Sequence, residues 1–438
     1  MALFVFILLV LFVILGGVRP RYMIPISLIT FLCVSPGIRV FGLTFVNTLF
    51  FCFIIISILR KSFFIHGNGI ARSYTYFVKY VLLIPIPFMF LSDKLDLLYQ
   101  FQSYKGMISF LFLFALWNIR ITYGGIKSNR IVLLTILLVC IYGIFSYISS
   151  SNIYADLTSS LYDSDFDASA IAEHSMDDPR ANLKGRITGT TPYTIQYCIL
   201  MGTAIFYLFS LRFFYNKKII WLLILLCFIN MYLTGSRGPI MGLIVGFLYY
   251  IICSVSLKNK IFIAVSSFAF IILFGGFLLL FSAETNDTGS SPEGRLVQIY
   301  GCWLEVNYSL RSILFGLGAG YNQFYLNNYG IHPIAAGFEG RFLAGLINHG
   351  ILGIIFIDIG TWFLEIKLLM KAYKERLITS NDKNILMGFI LFEIIHSFLE
   401  GTAYTLLFFI LFTLIIKNSS FRNRKELLQI QYGHSNIN

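Results

Sequence analysis

The chain has 438 residues, of which 57% are hydrophobic and only 12% are charged, and its net charge is +12. An average soluble protein carries roughly 25% charged residues, so this chain lacks the polar groups to coat a soluble globule, which excludes a soluble enzyme and a disordered chain. The apolar stretches are continuous and of helix length, unlike the alternating ~10-residue segments of a membrane β-barrel. The composition therefore predicts an all-α polytopic membrane protein.

About thirteen apolar runs are long enough to be transmembrane helices, with twelve or fourteen as the nearest alternatives, and they form a single integral membrane domain over residues 1–438. A helix needs ~20 residues to cross the hydrocarbon layer, and shorter runs are tolerated by local thinning. The predicted runs are 2–18, 23–38, 41–59, 75–91, 107–124, 131–149, 192–211, 219–234, 239–257, 261–281, 343–366, 385–400 and 402–417.

Basic residues cluster at every second connection between these runs, as at Arg19 and Arg21 or at Lys217 and Lys218. The positive-inside rule places such connections in the cytoplasm, together with the polar tail 418–438. With thirteen spans the N-terminus lies outside, and it lacks the basic region of a signal peptide, so the first helix is expected to be uncleaved. Because the basic residues follow this topology, the sequence predicts no nucleic-acid partner.

Two long segments fall on the opposite side, at about 150–191 and 282–342. Loops of this length are usually functional or disordered. The second segment is expected to be partly helical over 293–312, as an amphipathic helix at the membrane surface. Cys302 is the one cysteine in a predicted loop, so no disulfide framework and no cysteine metal site are expected.

Three places on that outer side combine arginine with small residues. The first is GRITGTTPYTIQY, with Arg186, and the third is the large loop, with Arg295, Arg311 and Arg341. The second is a tight turn between two apolar runs, TGSRGP, which contains Gly235, Ser236, Arg237 and Gly238. A guanidinium beside exposed backbone amides suits phosphate or pyrophosphate. The alternative, a solvated turn with a snorkelling arginine, is not excluded by spacing.

Candidate bases on the same side are Glu339, His332 and His349, with Glu293 and Glu305 further off. Burial at a membrane edge raises the pKa of a carboxyl and a nearby arginine lowers it, which is suitable tuning for a general base. An ion pair of Glu339 with Arg341 is an equally open interpretation, and His332 has no partner visible in the sequence.

Glu365, Glu393, His396 and Glu400 lie in or near the last apolar runs. Ionisable residues inside a membrane suggest a proton pathway, as in a transporter, but we favour structural hydrogen bonds between helices. Motifs for ATP, zinc or a covalent nucleophile are missing from plausible positions. We therefore predict no cofactor and no metal.

In order along the chain, GRITGTTPYTIQY, YLTGSRGPIMGLIVGF, FGLGAGYNQF and FEGRFLAGLINHGILGII resemble the O-antigen ligase/polymerase superfamily over roughly residues 185–360. Proteins of this superfamily are polytopic C-type glycosyltransferases. The resemblance implies transfer of a glycan from an undecaprenyl-pyrophosphate carrier to an acceptor hydroxyl, on the periplasmic side of a bacterial inner membrane, without metal or nucleotide sugar.

The resemblance also implies site residues and partners. The pyrophosphate-binding arginines of the family would correspond to Arg186, Arg237, Arg295 and Arg341. Ligases carry a His-Asn pair about eleven residues before the Gly-x-x-Gly of the next helix, where this chain has Glu339, so the polymerase branch fits better. Glu339 is then the expected base, with His332 in reserve. Expected partners are the lipid-linked oligosaccharide, membrane lipid and a chain-length regulator.

The sequence thus predicts an O-antigen or related surface-polysaccharide polymerase that joins lipid-linked repeat units. One alternative is an O-antigen ligase, which transfers the glycan to the lipid A core. A second alternative is a flippase or other transporter of lipid-linked oligosaccharide, which would place its key charges near the middle of the membrane.

Overall fold

The computed structural model describes most of the chain. The predicted run at 107–124 lies mostly outside the described residues, and the run at 261–281 lies wholly outside them. The described residues are 2–35, 37–40, 43–60, 69–104, 109–114, 116, 127–162, 167–177, 185–212, 215–254, 292–330, 332–334, 340–400, 406–416 and 418–419.

Helices dominate the first half of the described chain. They are α1 (Ala2–Val18), α2 (Met23–Cys33), α3 (Phe45–Leu59), α4 (Ile70–Leu83), α5 (Pro85–Leu91), α6 (Leu97–Tyr104), α7 (Lys127–Ser149), α8 (Ile153–Thr158) and α9 (Ala168–Met176). Between α2 and α3, the short strands β1 (Arg39–Val40) and β2 (Leu43–Thr44) pair antiparallel. Thr44 then caps α3, because its hydroxyl accepts from the Asn47 backbone N–H at 3.3 Å.

The second half is also helical. Its helices are α10 (Thr194–Leu211), α11 (Lys217–Leu233), α12 (Arg237–Ser254), α13 (Pro292–Val306), α14 (Leu310–Phe315), α15 (Tyr321–Tyr329), α16 (Arg341–Gly353), α17 (Gly360–Lys374), α18 (Ser380–Glu400) and α19 (Leu406–Ile416). A short π-helix, Ile354–Ile359, joins α16 to α17.

Five helical segments among the described residues are long and apolar enough to cross a membrane: Ile70–Leu91, Asn129–Ser149, Thr194–Leu211, Arg237–Ser254 and Arg341–Lys374. Four shorter apolar helices accompany them, at Leu3–Val18, Pro20–Cys33, Phe45–Leu59 and Leu406–Ile416. Large apolar side chains such as Leu134, Leu138 and Trp221 are more than half exposed, as expected of lipid-facing surface. The chain is therefore an all-α membrane protein; thirteen spans stays a prediction.

Glycines bring α12 and α18 into close antiparallel contact. A Cβ on Gly246 would lie 2.4 Å from the Gly388 carbonyl oxygen, and one on Gly242 would lie 2.9 Å from that of Phe392. Small residues four apart let helix backbones approach in membranes, where packing replaces the hydrophobic effect as the driving force. This contact places the C-terminal half of α18, which contains Glu393 and His396, beside the first turns of α12.

The chain reverses direction at Gly350, inside the run predicted as one continuous span. Arg341 and Asp358 would stand about 25 Å apart in a straight helix, yet their side chains are joined by a 2.5 Å hydrogen bond. Gly350 has φ +68°, a conformation that favours glycine, and its neighbourhood is tight because a Cβ there would meet the Leu314 carbonyl group at 2.5 Å. The residues before Gly350 therefore fold back against those after it.

The segment 307–320 covers the Gly350 reversal. The helix predicted over 293–312 is broken into α13 and α14, and Ser309 caps α14 by accepting from the Ser312 N–H at 3.0 Å. Leu317 donates its N–H to the Ile347 carbonyl at 2.7 Å and accepts from the Leu95 N–H at 3.1 Å. These backbone bonds tie the large loop to the chain that follows α5.

Candidate functional site

The TGSRGP sequence forms a tight turn between α11 and α12, as its length and glycines predict. Gly235 has φ +61°, and its N–H donates to the Tyr232 carbonyl at 3.0 Å. The side chains of Thr234 and Ser236 are buried under the turn. Arg237 is the first residue of α12 and is half-buried.

Arg186 lies against this turn and is held there by three hydrogen bonds. Its Nε donates to the Thr234 carbonyl at 2.8 Å, and its Nη2 donates to the Thr194 hydroxyl at 2.7 Å and to the Ser236 hydroxyl at 3.3 Å. The acceptors of these three bonds are neutral oxygens, which fix the orientation of the guanidinium. We call Arg186, Thr194 and residues 234–238 the arginine turn.

Two helix N-termini meet at the arginine turn. Thr194 is the first residue of α10 and Arg237 is the first residue of α12, and each helix has 18 residues. A helix N-terminus carries the equivalent of about half a positive charge and unpaired N–H groups. The structure thus brings together Arg186, the Gly235–Gly238 turn and two positive helix ends, an arrangement suited to binding an anion such as a phosphate.

Two of the predicted site residues are not positioned. Glu339, the expected base, lies outside the described residues, and Arg295 belongs to α13 but its side chain is not described. Whether they approach the arginine turn therefore stays a prediction.

His332 has a partner that the sequence did not reveal. Its Nε2 lies 3.3 Å from a Glu305 carboxylate oxygen, and its Nδ1 accepts from the Ile334 N–H at 3.1 Å. Since Nδ1 accepts, Nε2 carries the hydrogen and donates to Glu305. Both ring nitrogens are thus engaged, and His332 could act as a base only after one of these bonds opens. The 27-residue separation of Glu305 and His332 gave no signal in the sequence.

Aromatic residues surround this pair. The Tyr321 hydroxyl donates to Glu305 at 3.3 Å, and burial raises the pKa of that phenol. The Tyr325 ring is tilted against the His332 ring, with 5.2 Å between the ring centroids, and Tyr329 is two-thirds exposed. Exposed and partly exposed rings on one surface can stack on sugar rings.

Arg341 is placed deeper than its sequence position suggests, because of the reversal at Gly350. Its Nε donates to Asp358 at 2.5 Å, its Nη1 lies 3.7 Å from Glu393, and its guanidinium lies 4.9 Å from the Trp362 ring centroid. Its side chain is only 13% exposed. Arg341 is therefore engaged by carboxylates, and its predicted binding of pyrophosphate would require an anion to compete with them.

Glu365 and His396 complete this buried group. Glu365 is fully buried, and it interacts electrostatically with Arg341 and Glu393. His396 is 1% exposed and also interacts electrostatically with Arg341. Glu393 and His396 thus lie beside charged residues of neighbouring segments, and the hydrogen bonds expected between the helices stay a prediction. We call the following residues the buried charge cluster: Arg341, Asp358, Glu365, Glu393 and His396.

A small open pocket lies beside Arg341, between α4, α5 and the Asp358 segment. Its walls are mainly apolar, from residues such as Val81, Pro85 and Ile357. Among the described residues there is no group of three or more His, Cys, Asp or Glu side chains placed to hold a metal ion.

Comparison with known proteins adds no relative to this description. The chain matches no protein-family model, no curated protein and no solved structure.

Proposed function

We propose that this protein is a surface-polysaccharide polymerase that transfers a glycan from an undecaprenyl-pyrophosphate carrier to a hydroxyl of another lipid-linked repeat unit. The observation that carries the proposal is the arginine turn. There the Arg186 guanidinium is held by Thr194, Thr234 and Ser236 beside the first residues of two membrane helices. Such a site is prepared for a diphosphate at the membrane edge.

The chemistry of the transfer needs what the arginine turn supplies. The acceptor hydroxyl forms a bond to the anomeric carbon while the bond from that carbon to the pyrophosphate oxygen breaks. Negative charge then grows on the departing diphosphate, and fixed positive groups stabilise it in the transition state. The hydroxyl proton passes to a base, for which Glu339 is the first candidate and His332 the reserve.

The ligase alternative differs in its acceptor, so one assay separates the two. Purified protein is supplied with lipid-linked repeat units alone, and the length of the glycan is followed. Chain growth under these conditions supports the polymerase, whereas transfer that begins only when lipid A core is added supports the ligase.

Two substitutions test the arginine turn in the same assay. We expect Arg237→Lys to be nearly as damaging as Arg237→Ala, because an ammonium group cannot form a bidentate contact with phosphate. The matched control is Arg376→Lys, an exposed arginine just after α17. Polymer of wild-type length from a folded Arg237→Lys variant would contradict the proposed role.

A transporter of lipid-linked oligosaccharide is the second candidate, and the buried charge cluster favours it, since transporters hold ionisable groups within the membrane. The two candidates predict opposite results. If Glu393→Gln abolishes function while Arg237→Ala and Glu339→Gln leave it intact, the transporter is supported.

A further inference from the structure

The buried charge cluster contains three carboxyl groups but one guanidinium. That guanidinium is committed to Asp358, at 2.5 Å, and to Glu393, at 3.7 Å. If all three carboxyls were ionised, the described residues of the cluster would carry three negative charges against one positive charge. Burial of unpaired charge is so unfavourable that such groups usually become neutral by binding a proton.

Glu365 is the carboxyl with the least support for a charge. It is 0% exposed, and neither of its oxygens has a hydrogen-bond partner among the described residues. Glu365 lies three residues after Trp362, whose ring centroid is 4.9 Å from the Arg341 guanidinium, so the two residues share the face of α17 that meets the cluster. The ionised form would lose its hydration and gain no hydrogen bond in exchange, whereas the neutral acid loses far less.

The surrounding helices supply few other ionisable groups. Helix α18, which carries Glu393, also contributes His396, whose Nδ1 is buried without a hydrogen-bond partner among the described residues. From α16 comes His349, and from α4 comes Tyr80, whose hydroxyl donates to the Phe356 carbonyl. Helices α5 and α10 contain no charged residue or histidine, and α12 contributes only Arg237, at its start.

We propose that Glu365 and Glu393 form a proton-binding site inside the membrane, at which Glu365 holds one exchangeable proton at neutral pH. The ligand is a proton from water, which forms an O–H bond on the Glu365 carboxylate, and no electron transfer is involved. Glu393 stays ionised because Arg341 lies beside it. The site does not depend on the proposed glycan transfer, so either proposal can fail without the other.

Infrared difference spectroscopy of the purified full-length protein in lipid nanodiscs tests this site. We expect a protonated-carboxyl stretching band at pH 7 that shifts in D₂O and disappears in Glu365→Gln. The band should persist in Glu393→Gln, which removes the neighbouring charge, and in Glu173→Gln, which alters an exposed carboxylate of α9.

Three outcomes would overturn the proposal. The first is a wild-type spectrum at pH 7 without a protonated-carboxyl band. The second is a band that remains in a folded Glu365→Gln variant. The third is a carboxylate band that responds to replacing choline by Na⁺ at pH 7, which would assign the site to a metal cation. If Glu365→Gln does not fold, Glu365→Asp should keep the band but change its frequency, and an unchanged frequency would also contradict the assignment.

Discussion

Two arginines of this protein are held in opposite ways. Arg186 donates to a carbonyl and two hydroxyls, which fix its position at the turn, whereas Arg341 donates to the Asp358 carboxylate and lies beside Glu393. A guanidinium oriented at two helix N-termini can bind an anion such as phosphate. One surrounded by carboxylates already has its counter-ions. The type of partner, more than the arginine itself, separates a binding role from an internal one.

The largest expected effect is the loss of the buried guanidinium. Arg341→Leu leaves the buried carboxylates without their cation, and we expect it to lower the free energy of unfolding by about 3–5 kcal/mol. The measurement is denaturant unfolding in detergent. The matched control combines Arg341→Leu with Asp358→Leu, which removes the closer of the two carboxylates that Arg341 pairs and should recover part of the loss. Equal loss in the single and double variants would show that the pair is not what stabilises this region.

For Arg186 we expect the effect to fall on activity. Arg186→Gln keeps hydrogen-bonding capacity but removes the charge, and loss of one charge-stabilising donor typically lowers the rate about 10²–10³-fold. Stability should fall less than in Arg341→Leu, since no buried carboxylate loses its cation and the glutamine amide can keep part of the hydrogen bonding. Initial rates of chain growth, with melting temperatures measured alongside, check this. If Arg186→Gln strongly lowers the melting temperature but leaves the specific activity of the folded protein at the wild-type level, the contrast with Arg341 is contradicted.

The reversal at Gly350 is the geometric condition for the buried charge cluster. Gly350→Ala combines an unfavourable positive φ with a contact of 2.5 Å to the Leu314 carbonyl, so we expect it to cost about 2–3 kcal/mol of stability. Gly330→Ala is a close control, because Gly330 has φ +76° but nothing within 4 Å of its added Cβ. It should cost about 1 kcal/mol. Similar losses in both variants would mean that the close contact at Gly350 is unimportant.

The smallest expected effect concerns the hydrogen bond between Ser309 and Asp93, which joins the large loop to the chain just after α5. The Ser309 hydroxyl donates to Asp93 at 2.7 Å and lowers the pKa of that carboxyl. Because the folded-state pKa is the lower one, this stabilisation is present above the unfolded-state value of about 3.9 and is lost as the pH falls through the folded-state value. Since Asp93 is largely solvated, we expect less than about 1 kcal/mol. Hydrogen exchange of α14 at pH 7 and pH 3 should show the difference in wild type but not in Asp93→Asn.

The sequence predicted the features that depend on local pattern. Apolar runs became helices because their backbone groups have no water to bind in a membrane, and TGSRGP became a turn because its glycines allow one. The position of Arg341 could not be predicted, since it depends on one positive-φ glycine, Gly350, inside an otherwise continuous apolar run. The pairing of His332 with Glu305 was missed for a similar reason: it joins α13 to the connection after α15, and the packing of these two segments has no signature in spacing.

The central claim is that the arginine turn binds the diphosphate of a lipid carrier, and direct binding of undecaprenyl pyrophosphate to the purified protein tests it. The account predicts that Arg186→Gln and Arg237→Lys each weaken binding at least tenfold, about 1.4 kcal/mol, while the exposed control Arg376→Gln binds as the wild type does. Undiminished binding by folded Arg186→Gln and Arg237→Lys variants would contradict it.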